Sequence, residues 1–391
     1  MAKESVQKKL IDYDAPILVL NSGSSSLKFG IYRRSETDGV NDEEPLLIGS
    51  AEGIGRNNGT LRIRSADGTS LLQRDQTHES QSDALGALAA ALRDHIDTNP
   101  VAVGHRVVHG GPKLRQHQII TPQVLEQLCA ATHFAPLHIP QALSLIAAAQ
   151  SIFPSASQFA CFDDAFHQTI PEVASHFALP QRYFDAGICR YGFHGISYES
   201  LVHHFGAKLP ERAIFAHLGN GSSLCAVRDG KSIDTTMGLT PTGGIPMGTR
   251  SGDLDPGIIL YLLRKEKLDA DRLEDLLNHQ CGLFALSCGE SDVKELTERA
   301  EGNDDAKARL ALDVFAVSVR KIIGAYMALL GGVDLLVFTG GIGEHSDRIR
   351  SAATNGLENL GLAPKKVQVV ATQEEQQIAR HCRAMMNNNG P

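Results

Sequence analysis

The sequence predicts an α/β protein made of two related lobes. Three observations carry that expectation. At 391 residues the chain exceeds one typical domain. Its apolar segments alternate between strand-like and helix-like periods, the pattern of successive βα units. A strand–Gly/Ser turn–strand signature near the start is echoed about 200 residues later.

The elements follow in chain order. Ile17-Leu18-Val19-Leu20 reads as a buried strand, and Asn21, Gly23 and the serines that follow read as a turn. Leu27, Phe29 and Ile31 then alternate with Lys28, Gly30 and Tyr32 as a half-buried second strand. The turn is rich in backbone N–H groups and hydroxyls and carries a lysine, all groups that bind phosphate oxygens. It is not a P-loop, because no helix follows and the spacing differs. Residues 33–58 read as charged loop, and Thr60–Arg64 as a short strand. Leu85, Leu88, Leu92 and Ile96 form a helical stripe over Asp83–Ile96. A short strand at Val101–Val103 runs into Gly104–Gly111, a glycine-flanked loop carrying Arg106. Thr121-Pro122 opens a helix, because Thr suits the N-cap and Pro the first helical position. Ala135–Pro140 is a loop with His138. Pro140 then opens a helix with Leu143, Ile146 and Ala147 on one face. Gln158–Phe162 is a strand ending in Asp163-Asp164.

A second block begins near Phe166. Tyr191–Gly195 is a tight glycine-bounded loop with His194. Ala213–Ala216 is a strand leading through His217-Leu218-Gly219-Asn220-Gly221 into Ser222–Val227, the echo of the opening hairpin. Ser25-Ser26-Leu27 and Ser222-Ser223-Leu224 align. Met237–Asp253 crowds glycines around Arg250, a loop shaped for close approach to a ligand. Asp255-Pro256 starts a helix. Another spans about Ala306–Leu330 and stops at Gly331-Gly332. Asp334–Phe338 is a buried strand ending in Thr339-Gly340-Gly341-Ile342-Gly343-Glu344, where the glycines leave room for a flat ring. A final βα unit runs from Val367 to about Met386.

Composition excludes several function classes. There are 37 basic and 45 acidic residues, a formal charge of −8, so no nucleic-acid partner is expected. No apolar run approaches the roughly 20 residues of a membrane span, so no membrane partner is expected. Met1–Lys9 is charged and lacks the apolar core of a secretory signal, and it reads as a short extension. The 7 cysteines are dispersed with no C-x-x-C pair, which points to reduced thiols and a cytoplasmic home. Metal-ligand histidine spacing is absent. Asp163, just past a strand, stands where a carboxylate holds Mg²⁺ through water. Asp164 stands there too, or is the N-cap of the helix carrying His167. Arg106 and Arg250 are placed to clamp an anion bidentately. These features describe a two-lobed phosphotransferase or nucleotide hydrolase, whose chemistry needs phosphates held and charge neutralised.

The motifs L-N-S-G-S-S-S-L-K (20–28) and H-L-G-N-G-S-S-L (217–224) go further. So do G-H-R-V-V-H-G-G (104–111), Y-G-F-H-G (191–195), M-G-T-R-S-G-D (247–253) and T-G-G-I-G-E (339–344). With them, the sequence resembles the acetokinase family, within the superfamily of sugar kinases, actin and heat-shock ATPases. The resemblance implies the actin-like/ribonuclease H-like ATPase fold with an active-site cleft between the lobes. The N-terminal lobe would hold residues 1–165 plus about 376–391, with the first phosphate loop. The C-terminal lobe would hold 166–375, with the second phosphate loop and the adenosine site. It implies reversible transfer of the ATP γ-phosphoryl to acetate, giving acetyl phosphate and ADP, with Mg²⁺ or Mn²⁺, in a homodimer.

By the same resemblance, Arg106, Arg250 and His194 are catalytic, with Asp163 and His138. Asn21, Ser24, Ser26 and Lys28 face the phosphates. His217, Leu218, Gly219, Asn220 and Gly221 form the second phosphate loop, and Gly340, Gly341, Ile342 and Gly343 receive the adenine. Val108, Leu137, Phe193 and Pro241 form the acyl pocket, and Asn21, Asp163 and Glu374, or Glu375 beside it, serve the metal. Two departures, Ile139 after His138 and Thr242-Gly243-Gly244 after Pro241, leave the preferred acyl chain open between acetate, propionate and butyrate.

Overall fold

The structure, a computed structural model, describes residues 15–23, 25–37, 40–93 and 99–388. Ser24, Ile96 and the N-terminal extension lie outside the described residues. Two compact units are present: one runs up to Phe162 and takes back the chain from Glu374, and the other spans Asp163–Gln373.

The first unit is built on an eight-stranded sheet of order β5-β4-β3-β2-β1-β6-β8-β7. Its strands are β1 Ile17–Ser22, β2 Ser26–Thr37, β3 Val40–Glu52, β4 Thr60–Ser65, β5 Ser70–Asp75, β6 Ala102–Val107, β7 Gln118–Ile119 and β8 Ser157–Phe162. Strand β1 is central and its apolar residues are buried, as a near-continuous Ile/Leu/Val run requires. It pairs antiparallel with β2, Ile17 opposite Tyr32 and Ser22 opposite Leu27, and parallel with β6.

Of the segment expected as loop at 33–58, residues 33–37 are the rest of β2 and 40–52 are β3, while 53–58 form turns as expected. Its charges are neutralised by partners remote in sequence or across the strand. Arg33 lies opposite Glu44. Asp42 and Glu43 bind Arg380 and Arg383, each at 2.7 Å, from the last helix, α14 (Glu374–Asn388).

Helix α1 (Gln81–Leu92) is capped by Ser80, whose side chain accepts from the Asp83 N–H. In α2 (Pro122–Ala130) the Thr121 hydroxyl accepts from the Val124 N–H, as the Thr-Pro pair predicts. Helix α3 (Ile139–Ile152) buries Ala142, Leu145, Ile146 and Ala149. Its face is rotated from the expected one: Leu143 is half-buried and Ala147 exposed. So apolar a helix offers several candidate stripes, and packing beside α1 against Leu18, Leu20 and Val103 selects one.

In the second unit, short helices α4 (Glu172–Ser175) and α5 (Gln181–Asp185) precede α6 (Gly195–Phe205). A five-stranded sheet follows, of order β11-β10-β9-β12-β13. Its strands are β9 Arg212–Leu218, β10 Ser222–Arg228, β11 Lys231–Thr235, β12 Leu335–Thr339 and β13 Val367–Val369. Alternation along β9 is strict. Ile214, Ala216 and Leu218 face a core with Phe315, Val319 and Ile323, while Ala213 and Phe215 face Tyr198 and Leu201 of α6. The first of those cores is closed by α11 (Ala306–Leu330), with the bounds its periodicity predicts. It starts at the Asp305 N-cap and ends at Gly331, whose φ of 72° is left-handed.

Between β11 and α11 stand α7 (Pro256–Lys265), α8 (Ala270–His279), α9 (Gly282–Leu286) and α10 (Val293–Gly302). Helices α12 (Gly340–His345) and α13 (Asp347–Thr354) follow β12, and α14 (Glu374–Asn388) returns to the first unit.

The two sheets share one plan. In the first, β3, β2 and β1 pair antiparallel and β6 and β8 continue parallel. In the second, β11, β10 and β9 pair antiparallel and β12 and β13 continue parallel. The echo in the sequence is thus an echo in topology. The turns differ in length, with residues 23–26 against 219–221 between the last paired positions.

Candidate active site

In the first unit the candidate residues gather at the C-terminal end of β1. Asn21 is buried there, and its Nδ2 donates to Glu374 Oε2 at 3.0 Å and Glu375 Oε1 at 2.7 Å. Arg106 Nη1 donates to Asn21 Oδ1 and to the Ser22 carbonyl, each at 3.4 Å. Arg106 lies within strand β6, paired opposite Cys161, and not in the glycine-flanked loop expected for it. The ladder, and not a flexible loop, therefore aims its guanidinium. Lys28 is directly opposite Asn21 on β2 and is exposed. Ser26 opens β2.

The turn between these strands is closed by Gly23 N–H to Ser26 O at 2.8 Å. It is stapled by Gln81 of α1, whose Nε2 donates to Gly23 O at 2.8 Å and Ser26 O at 3.1 Å. Sequence reasoning missed Gln81, since nothing local marks a helix's first residue as the clamp of a distant turn. Val108 follows β6 half-buried, Leu137 is 40% exposed, and His138 sits half-buried at the N-cap position of α3. The amide and carboxylate oxygens of Asn21, Glu374 and Glu375 are hard donors suited to Mg²⁺. Glu375 reaches the same Asn21 amide as Glu374, the residue assigned from the sequence.

In the second unit the centre is the β9–β10 turn. Asp163 is buried directly after β8, and its carbonyl accepts from the Gly195 N–H at 2.7 Å. Asp164 occupies the N-cap position of a short turn of 3₁₀ helix at Ala165–Thr169, with no side-chain cap bond. His194, at φ 59°, stands at the N-cap of α6 in the left-handed region, which disfavours residues with a Cβ. Its Nδ1 lies 2.9 Å from Ser223 Oγ, and its ring stacks on His217 with centroids 4.2 Å apart. His217 Nδ1 in turn meets Ser197 Oγ at 2.9 Å.

Gly221 leaves the space in front of this pair. A Cβ there would lie 3.3 Å from His194 Nε2 and 3.4 Å from Arg250 Nη1. Arg250 is braced by the Pro241 carbonyl at 3.2 Å, and its loop is tied to the turn by Gly248 N–H to Asn220 O at 3.1 Å. Gly219 N–H donates to Ser222 Oγ at 3.1 Å, and Leu218 ends β9 buried. The residues of the β9–β10 turn, His194 and Arg250 are thus brought together in this unit.

The loop from β12 to α12 lies beside that turn. Gly340 has φ 77°, and a Cβ on it would approach the Leu218 carbonyl to 2.7 Å, so only glycine fits. Around Gly341 the space is open. Ile342 is half-buried and Gly343 buried. Glu344 Oε1 ties the loop down, accepting from Gly340 N–H at 3.0 Å and Thr372 N–H at 2.9 Å. Phe193 is buried, its carbonyl 3.0 Å from His167 Nε2, and Pro241 is half-buried.

Ser223 and Tyr198 were not expected. Tyr198 Oη lies 2.5 Å from Ser223 Oγ, and both are buried. Burial pushes the Tyr198 phenol well above its ordinary range, so it keeps its proton. The spacing was a usable signal: Tyr198 is four residues after His194, one turn along the same helix face.

The acetokinase family description matches residues 16–385. The acetate kinase of Methylocella silvestris is 38% identical over 400 residues, covering 95% of this chain and 98% of its own. Among solved structures, a propionate kinase from Francisella tularensis superposes with a TM-score of 0.86 at 35% identity. The acetate kinase of Porphyromonas gingivalis gives 0.83 at 33% identity. Each covers 95% of this chain and 100% of its own.

Proposed function

The chain belongs to the acetokinase family, and from that premise we propose that it transfers the ATP γ-phosphoryl to acetate. The observation that carries the chemistry is the convergence of His194 Nε2 and Arg250 Nη1 on the Gly221 turn, two nitrogen groups suited to an anion. A carboxylate oxygen of acetate attacks the γ-phosphorus, the bond to the bridging oxygen breaks, and ADP leaves. No proton has to move, so the protein's task is to hold the groups in line and neutralise charge. Arg106 grips the carboxylate, and Arg250 and His194 donate to the phosphoryl oxygens as charge spreads over them.

His138 positions the acid, and Ser24, Ser26 and Lys28 bind phosphate with His217–Gly221. Gly340–Gly343 receive the adenine, and Val108, Leu137, Phe193 and Pro241 enclose the methyl group. Asn21, Glu374 and Asp163 would hold Mg²⁺ or Mn²⁺, which when bound neutralises phosphate charge. Propionate is the second reading, favoured by the likeness to a propionate kinase. An added methylene changes selectivity by only about 1–3 kcal/mol.

A second copy of the chain is the proposed macromolecular partner. Helix α7 carries no buried residue and exposes Ile258, Leu260, Tyr261 and Leu263. A cytoplasmic location agrees with the need for ATP and with the free thiols. Among the described residues no helix is long and apolar enough to cross a membrane.

The test is hydroxamate formation with Mg-ATP, hydroxylamine and acetate, propionate or butyrate. Acetate should give the highest kcat/KM, and Arg106→Ala should lower kcat far more than it weakens ATP binding. Absence of product with every acid refutes the proposal.

A further inference from the structure

We propose that Tyr198 and Ser223 are positioning residues that fix the tautomer of His194, so that its Nε2 carries the proton and donates to the phosphoryl group. The inference rests on the acyl-kinase reading above. It starts from a buried hydroxyl with a defined direction. The Tyr198 phenol keeps its proton, and its oxygen lies 2.5 Å from Ser223 Oγ. A phenol is a stronger hydrogen-bond donor than an aliphatic hydroxyl, so that proton is given to Ser223.

Ser223 is fully buried, and among the described residues its Oγ meets only Tyr198 and His194. Having accepted from Tyr198, it keeps one proton to place. The acceptor within reach is His194 Nδ1, at 2.9 Å. The opposite arrangement, with Nδ1 donating, strands the Ser223 proton in a site without water access. A buried hydroxyl proton left without an acceptor is unfavourable. A neutral imidazole that accepts at Nδ1 carries its proton on Nε2. That is the nitrogen facing the Gly221 turn, where a Cβ would lie 3.3 Å away.

Two further features hold the ring in this state. The left-handed backbone at His194, pinned by Asp163 O to Gly195 N–H at 2.7 Å, aims the side chain back toward β10. Stacking on His217 at 4.2 Å disfavours a second positive charge there. Strand β10 brings Ser223 opposite His217, and α6 brings Tyr198 one turn beyond His194, so the relay is a consequence of strand and helix register.

The test reads the tautomer directly, by long-range ¹H–¹⁵N correlation on histidine-labelled protein. The His194 signals are identified by their loss in His194→Gln. The wild type should show His194 protonated at Nε2. Ser223→Ala should give a mixture of tautomers and lower kcat about tenfold while leaving the KM for acetate within about twofold. Tyr198→Phe, which removes only the oxygen, should do the same to a smaller degree. A wild-type His194 protonated at Nδ1 overturns the proposal. So does an unchanged kcat and tautomer in both variants with circular dichroism of the folded protein. The spectrum needs no turnover, so a wild type that forms no hydroxamate refutes the kinase reading by itself, and the tautomer still decides the relay.

Discussion

Gln81→Met should weaken phosphate handling without unfolding the first unit. The substitution keeps length and volume while removing the amide that staples the Ser22–Ser26 turn. Two hydrogen bonds are lost, Nε2 to Gly23 O at 2.8 Å and to Ser26 O at 3.1 Å. Ser26 O keeps the Gly23 N–H at 2.8 Å, and Gly23 is half-exposed, so water replaces part of what is lost. Each neutral bond is worth roughly 0.5–1.5 kcal/mol, which sets the loss at about 1–2 kcal/mol. If the turn holds ATP phosphates, that loss lowers kcat/KM for ATP by about 5- to 30-fold, since 1.36 kcal/mol is tenfold. Initial hydroxamate rates over a matrix of Mg-ATP and acetate concentrations measure it. A variant with lowered thermal stability but wild-type kcat/KM for ATP would refute the reasoning. Gln81 would then brace the sheet and not the ligand turn.

Other outcomes follow from the same geometry. His105 is buried on β6 against Gln158 at 2.8 Å, and burial lowers its pKa to about 4. The folded chain therefore binds fewer protons than the unfolded chain between pH 6.5 and 4. Stability falls as pH drops through that window, by up to about 3 kcal/mol from this group. His105→Gln should remove that part of the slope, so its urea midpoint should approach or pass that of the wild type toward pH 4; parallel midpoint curves would show that His105 contributes none of it. Gly221→Ala would put a methyl 3.3 Å from His194 Nε2 and 3.4 Å from Arg250 Nη1. Displacing these groups by a few tenths of an ångström should cost about tenfold or more in kcat at an unchanged melting temperature, and a wild-type kcat would exclude their joint role. Tyr261→Asp on α7 should turn a dimer into a monomer by sedimentation velocity; a monomeric wild type, or a variant that stays dimeric, removes α7 as the interface.

Much of the scaffold was legible locally. The apolar run of β1, the Thr121-Pro122 start of α2, the Gly331 stop of α11 and the second hairpin after His217 each announce themselves within a few residues. Periodicity, caps and turn chemistry act at short range, so the sequence states them directly. Charged β3 was not legible. Asp42 and Glu43 look like loop until Arg380 and Arg383, more than three hundred residues on, neutralise them. The buried face of α3 was ambiguous for a related reason: a helix rich in Ala and Leu offers several stripes, and its neighbours choose.

The candidate site divides the same way. By itself the sequence determined which residue types stand in the glycine-rich turns, and through those motifs the family. Arg106 could be named from its motif, but only the pairing of β6 with β1 and β8 made it a strand residue beside Asn21. Gln81, Ser223 and Tyr198 became visible only when the chain was folded. Their roles lie in hydrogen bonds to residues remote in sequence or a full helical turn away, and such bonds exist only once packing has brought donor and acceptor within about 3 Å.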